Sequence, residues 1–240
     1  MKSKNKYIGI NNRIPFVVLE GALYDFFENG AISKEPLYNH IKEFTNGENR
    51  AKKSLGNVNK IFTSNKQLLG LIKKHLGQKD LYHTGKNEKS IMLLCLFCLT
   101  YPITYDLLCS LAGGFKVESK LNKLYIHQKI GAIYGGNRSM HIAVDEVMPL
   151  LIELNLVERE KVGIYVKSKK ISCSSNFFTE LIIYTDIMLS KSKSILISDL
   201  THRPWYSYFD FSINNLEQFK HLILVKDSAV GKGYITIKNN

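Results

Sequence analysis

The segment Ile91 to Leu99 reads IMLLCLFCL, nine apolar residues with no polar interruption. A helix that is apolar on every side has to be surrounded. Nine residues fall well short of the about 20 that cross a bilayer. The run is therefore expected to be a buried helix, extending from Glu88 to Tyr101 and ended by Pro102. Cys95 and Cys98 lie on it as a CxxC pair. No second CxxC and no HxxxH stands at zinc-site spacing, and residues three apart share a helix face, so the pair is assigned to core packing. Together with Cys109 these fall in the most apolar part of the chain and read as reduced thiols of a cytosolic protein, Cys173 being the fourth cysteine. The basic start MKSKNKYIG has no apolar stretch after it of the kind that a secretory signal carries. The expected location is cytoplasmic, with no membrane partner.

Before the buried run, apolar residues recur at steps of three and four. Pro15 opens a helix carrying Phe16, Leu19, Leu23, Phe26 and Phe27, stopped at Asn29-Gly30. Ser33 stands at an N-cap position before the stripe Leu37, Ile41, Phe44. ENRAKKSLGNVNKIF sets Ala51, Leu55, Val58 and Phe62 on one side and Arg50, Lys52, Lys53 and Lys60 on the other. NKQLLGLIKKHLG runs from Asn65 to Gly77. These four short helices form a helical module over residues 14–77, followed by the polar linker QKDLYHTGKN, Gln78 to Asn87.

Charge is uneven. The chain of 240 residues carries a formal net charge of +12. Between His40 and Asp80 nine Lys or Arg face three Asp or Glu, so half of the excess lies in about one sixth of the chain. An excess of this size favours a polyanionic partner. With 45% apolar and 22% charged residues, the composition argues against wholesale disorder.

The second unit, residues 88–172, continues with a short helix from Thr104 to Leu111 closed by Gly113-Gly114, then helical spacing from Leu121 to Tyr134 at Leu124, Ile126, Ile130 and Ile133. In YGGNRSMHIAVDEVMPLLIELNLVER the turn Gly135-Gly136-Asn137 permits left-handed backbone. Ser139 is placed to cap a helix that buries Val144, Val147, Leu151 and Leu154 and shows Arg138, His141, Asp145 and Glu146. Pro149 inside this helix is expected to kink it. Leu156-Val157 reads as a strand, Glu160 to Gly163 as a turn and Ile164 to Lys170 as a return strand.

The stretch IGAIYGGNRSMHIAVDEVMPLLIELNLVEREKVGIYV, Ile130 to Val166, resembles the winged helix-turn-helix superfamily. That resemblance implies a recognition helix in the DNA major groove, read from its first residues, and a wing against the backbone. Asn137, Arg138, Ser139, His141 and Ile142 would lie at the groove end, and Lys161, Lys167 and Lys169 on the wing. Independently, a helix N-terminus favours phosphate, and arginine pairs with guanine as asparagine does with adenine. Acidic Asp145 and Glu146 beside this face are a departure that could repel phosphate. The wider plan, LEGALYDFF to NRAKKSLGNVNKIF followed by SIMLLCLFCLTYPITYDLL and this central segment, is loosely similar to the small DNA-binding proteins of BREX phage-defence systems.

In residues 173–240, Asn176 can cap a helix bearing Phe178, Leu181, Ile182 and Ile187. THRPWYSYFDF, Thr201 to Phe211, reads as a small aromatic core, with base stacking beside Arg203 as the alternative. His221 to Lys226 and Gly233 to Lys238 alternate as a hairpin. No GxSxG, P-loop, GxGxxG or HExxH occurs. EREK, Glu158 to Lys161, is explained by an alternating strand.

The expected fold is mostly α with small β parts: an N-terminal helical module, a central winged helix, and a C-terminal helix plus β-hairpin. The expected function is non-enzymatic binding of double-stranded DNA without a cofactor, through Asn137, Arg138, Ser139, His141, Lys161, Lys167, Lys169, Arg50, Lys52, Lys53 and Lys60. Phage defence and transcription control are the settings considered, and a homodimer is compatible. The alternative is a protein-binding assembly subunit of a larger complex.

Overall fold

In a computed structural model of the chain, which describes residues 6–76, 81–136, 138–211, 218–227 and 233–238, the apolar run forms helix α5 (Lys86–Thr100). Every residue from Ser90 to Cys98 is buried. Four helices enclose it: α1 (Phe16–Asn29), α3 (Glu48–Ser64), α6 (Pro102–Phe115) and α9 (Asn176–Ser190). Cys95 and Cys98 face this packing as free thiols, and burial pushes the Cys95 thiol up to about 12. Buried apolar residues from Ile10 to Ile235 form one continuous cluster. The three segments delimited by sequence, 14–77, 88–172 and 173–240, thus share a core. The protein is mostly α with small β parts.

Pro102 begins α6, and the α5–α6 pair is bent by 113°. Among the described residues no single helix is long and apolar enough to cross a membrane.

The N-terminal helices α1, α2 (Lys34–Lys42), α3 and α4 (Lys66–Leu76) follow the sequence periodicity. Phe44 departs from it, being 51% exposed just past α2. Ser33 stands at the N-cap, but its hydroxyl and amide both donate to the Asp25 carboxylate of α1 rather than closing the helix. Gly77 and the first part of the expected linker lie outside the described residues. Leu81–His83 form a 3-10 turn, and Lys86 already belongs to α5.

In the central segment the order is α6, β1 (Lys120–Asn122), α7 (Lys123–Tyr134), α8 (Arg138–Glu153), β2 (Val157–Lys161) and β3 (Ile164–Lys167). The strands form an antiparallel sheet in the order β1-β3-β2. The expected helical stretch from Leu121 begins instead as a strand. Three residues are too short to show a period, and the alternation Lys120, Leu121, Asn122 is exposed, buried, exposed. Gly113-Gly114 does not end α6, which runs on to Phe115. A Cβ on Gly114 would stand 2.7 Å from Leu121, so this glycine permits close packing of β1 on the helix. Ser139 lies inside α8 rather than capping it, and α8 runs unbroken through Pro149. The proline removes only the N–H that would reach the carbonyl of Asp145.

The C-terminal third closes over α5 and α6. β4 (Ile171–Ser172) pairs in parallel with β6 (Phe209–Asp210). β5 (Ser194–Leu196), β8 (Tyr234–Ile237) and β7 (Ile223–Lys226) form an antiparallel sheet in that order. The expected hairpin β7–β8 therefore gains a third strand from KSKSILISDL. The aromatic segment is core. Trp205, Tyr206, Tyr208 and Phe209 are buried, Trp205 donating to Ile182 O and Tyr208 to Leu108 O. Its rings are unavailable for base stacking.

Two fully buried carboxylates of α9 anchor this cap. Asp186 accepts two bonds from Arg203, at 2.5 and 2.8 Å, and one from Tyr105. Glu180 accepts four backbone N–H groups, those of Lys220, His221, Leu222 and Ile223, at 2.6–3.3 Å. A buried charge persists only when its lone pairs are satisfied, and here the chain leading into β7 satisfies them. Glu180→Gln is isosteric, yet it introduces N–H donors against N–H donors. Urea unfolding is expected to show a loss of about 2–4 kcal/mol.

Candidate nucleic-acid interface

Helix α8 buries Met140, Ala143, Val144, Val147 and Leu151. Helical spacing then leaves Arg138, Ile142, Asp145 and Pro149 along its outward ridge. Arg138 and Ser139 are both exposed in the first turn. Asn137 lies outside the described residues.

The preceding helix α7 runs back beside α8, so that His127 meets His141 and Lys123 meets Asp145. The imidazoles stack with centroids 4.7 Å apart and 19° between their planes. His127 Nε2 lies 3.0 Å from Asp145 Oδ1, and Lys123 Nζ lies 2.8 Å from the same carboxylate. With both rings neutral, these contacts admit one set of tautomers. A neutral His127 that donates from Nε2 to the carboxylate keeps Nδ1 as an acceptor. His141 Nδ1 then donates to it, the two Nδ1 atoms being hydrogen-bonded. His141 keeps its Nε2 as an acceptor. The Asp145 charge is also compensated by Lys123, which relieves part of the repulsion that the sequence raised at this face; among the described residues Glu146 has no cation within ion-pair distance.

An N-terminal arm, described from Lys6, connects this helix with α3. Lys6 pairs with Asp106 at 3.1 Å and lies over the Tyr134 ring near the end of α7. Tyr7 accepts a hydrogen bond from Lys60, whose ammonium sits 4.3 Å from the ring centroid. Gly9, at φ +70°, lets the Tyr7 ring fold back where any Cβ would collide. Asn12 donates to Arg50 O at 3.2 Å. Arg13 pairs with Glu153 at 2.5 Å, and the Phe16 amide donates to the same carboxylate at 2.6 Å.

The contacts are ordered. The arm starts by the end of α7 and Lys60, and finishes by the end of α8 and Arg50. Between these contacts the arm bends at Gly9, where the Ile10 amide donates to Ile8 O at 2.9 Å. The arm thus runs antiparallel to α3, from Lys60 to Arg50, and ends against Glu153 of α8. Arg50, Lys53 and Lys60 share one flank of α3 at spacings of three and seven, and the arm joins that flank to α8. Lys52 points to the other flank and faces Glu48 at 3.8 Å.

The β2–β3 hairpin turns at Val162-Gly163, where Gly163 adopts φ +74°. Gly163 O accepts the Lys123 amide at 2.8 Å and ties the tip to the start of α7. Lys161 is exposed at this tip. Lys167 pairs in register with Val157, at the opposite end of the hairpin, and its ammonium is 5.9 Å from the Tyr208 ring. The expected wing residues therefore divide: Lys161 is at the tip, while Lys167 and Lys169 are at the base.

Most acidic groups on these elements are paired: Asp145 with Lys123, Glu153 with Arg13, Glu160 with Lys120 and Glu48 with Lys52. Among the described residues, Arg138, Arg50, Lys53 and Lys161 have no carboxylate within ion-pair distance. No group of three or more His, Cys, Asp or Glu among the described residues could hold a metal ion. Lys123, His127 and the arm residues Lys6 and Tyr7 were missed by sequence reasoning. The four-residue spacing of Lys123 and His127, opposite that of His141 and Asp145, was the available signal.

In comparison with known proteins, the chain matches no family model, no curated protein and no solved structure.

Glu153 also serves as the N-terminal cap of α1. Pro15 occupies the N-cap and offers no side-chain acceptor, so the carboxylate arrives from α8. Arg13→Ala is expected to cost about 0.5 kcal/mol as an exposed pair. Glu153→Ala is expected to cost about 1–2 kcal/mol, because the helix N-terminus loses its acceptor and its countercharge. Thermal unfolding of the two variants checks this ordering.

Proposed function

We propose that the chain is a non-enzymatic, double-stranded DNA-binding protein whose helix α8 enters the major groove by its first turns. The order helix, strand, helix, helix, strand, strand over α6 to β3, with the sheet order β1-β3-β2, supports a winged-helix reading. The observation that carries the proposal is Arg138, exposed in the first turn of α8 without an acidic partner, while the Asp145 carboxylate two turns on is compensated. The guanidinium suits guanine O6 and N7, and His141 Nε2 suits an N–H donor of adenine or cytosine. Across the arm, Arg50, Lys53 and Lys60 suit backbone phosphates, as does Lys161 at the hairpin tip. Transcription control and phage defence are the settings such a protein would fit.

Titration of a labelled random duplex across a salt series tests the reading. Affinity is expected to fall steeply with salt, without cleavage of the duplex. Arg138→Ala is expected to weaken a preferred sequence by about 1–3 kcal/mol, and Arg50→Ala with Lys53→Ala to weaken all duplexes alike and to reduce the salt slope by about two. Lys123→Ala exposes the Asp145 charge and is expected to weaken every duplex, an effect that adding Asp145→Asn reverses. No binding at low salt would overturn the proposal.

A second reading, a protein-binding subunit of a larger complex, is favoured by one observation. Leu124 is 67% and Val162 84% exposed, and the Lys123–Gly163 bond holds them side by side at the hairpin tip. Binding of a protein partner that Leu124→Ser with Val162→Ser abolishes, with duplex binding absent, would establish it.

A further inference from the structure

The base of the β2–β3 hairpin carries a basic cluster that the proposed DNA surface does not use. Lys167 and Lys170 line a cavity of about 270 Å³ against the C-terminal aromatic segment, together with Thr201, Ser207, Asp210 and Phe211. Lys116, at the end of α6, stands close enough that it and Lys170 both act on Lys167. Burial first, and then these two like charges, depress the Lys167 ammonium below the usual lysine range. Among the described residues no carboxylate pairs with Lys116, Lys167 or Lys170. Asp210 lines the same cavity without reaching ion-pair distance. The Ser207 hydroxyl oxygen is buried and has no hydrogen-bond partner.

Lys167 and Lys170 line the cavity together with Ser207, whose hydroxyl has no partner, while Lys116 stands outside the lining and donates to His202 O at 3.3 Å. Buried hydroxyls are normally satisfied, and two like charges brought to one cavity repel. One multivalent anion relieves both, because its oxygens accept from ammonium and hydroxyl alike. The cavity lies below the range of about 300–1,000 Å³ typical of pockets for whole small molecules, so its size favours a phosphate group over a larger ligand.

We infer that the cavity between the hairpin base and residues 201–211 is a phosphate-binding site, with Lys167, Lys170 and Ser207 as its donors. The phosphate could be free or borne by a DNA backbone, and the site does not depend on the role given to α8.

The test uses the full chain and two probes. The first is inorganic phosphate at constant ionic strength, set by chloride, with backbone amide shifts of Ser207 and Lys167 as the readout. The second is the salt slope of duplex binding. Lys167→Met with Lys170→Met removes two charges and keeps the apolar stems, Ser207→Ala removes the hydroxyl, and Lys167→Arg with Lys170→Arg restores the charge.

If free phosphate is the ligand, its shifts saturate in the wild type, are lost in the Met pair, weaken in Ser207→Ala and return in the Arg pair. If the phosphate is that of DNA, the Met pair lowers the salt slope by about two and the Arg pair restores it. Either pattern supports the site. The inference is overturned if phosphate produces no saturable shift and the salt slope is unchanged in the Met pair. Arg138→Ala separates the two proposals, since its loss of sequence preference concerns α8 alone.

Discussion

Helix α5 has no face that tolerates water, and this requirement arranges the rest of the molecule. With every residue from Ser90 to Cys98 buried, at about 1.5–3 kcal/mol for each large side chain removed from water, the helix has to be wrapped. The wrapping draws on the whole chain: α1 and α3 from before it, α6 directly after it, and α9 from far downstream. A run that could have signified a membrane becomes the shared centre of segments that their sequence boundaries separate.

Around that centre, carboxylates act as ties between distant segments. Glu180 gathers four amides of the chain entering β7, Asp186 holds Arg203 and Tyr105, Glu153 caps α1 from the end of α8, and Asp25 holds Ser33 at the start of α2. The same economy governs the proposed interface. Acidic groups occupied internally leave a basic chain with its positive charge outward. The net charge of +12 thereby becomes a property of surfaces, with half of the excess between His40 and Asp80.

Much of this was legible in the sequence because it is periodic or punctuated. The helices before Gly77, the break at Pro102, the Gly135-Gly136 turn and the α8 face with Val144, Val147 and Leu151 all follow from spacing. Short strands were not legible: β1 spans three residues, and β4 and β6 only two each, so no period can develop. Gly113-Gly114 read as a stop because glycine's second use, close packing as at Gly114, depends on a neighbour that is invisible locally. Long-range polar contacts were equally hidden. His141 looked free, and only the return of α7 shows it held by His127. Lys167 and Lys169 looked like wing residues, and only the register with Val157 places them at the base. Lys52 and Lys53 are adjacent in sequence but diverge on α3, as neighbouring helical residues must.

Hydrogen exchange of the full chain, with and without a saturating random duplex at low salt, tests the central claim most directly. The account predicts slowed exchange in the first turns of α8, the flank of α3 bearing Arg50 to Lys60 and the hairpin tip at Lys161, with α2 and the β5-β8-β7 sheet unchanged. Protection centred on α2 or on that sheet, or none despite binding, would contradict it.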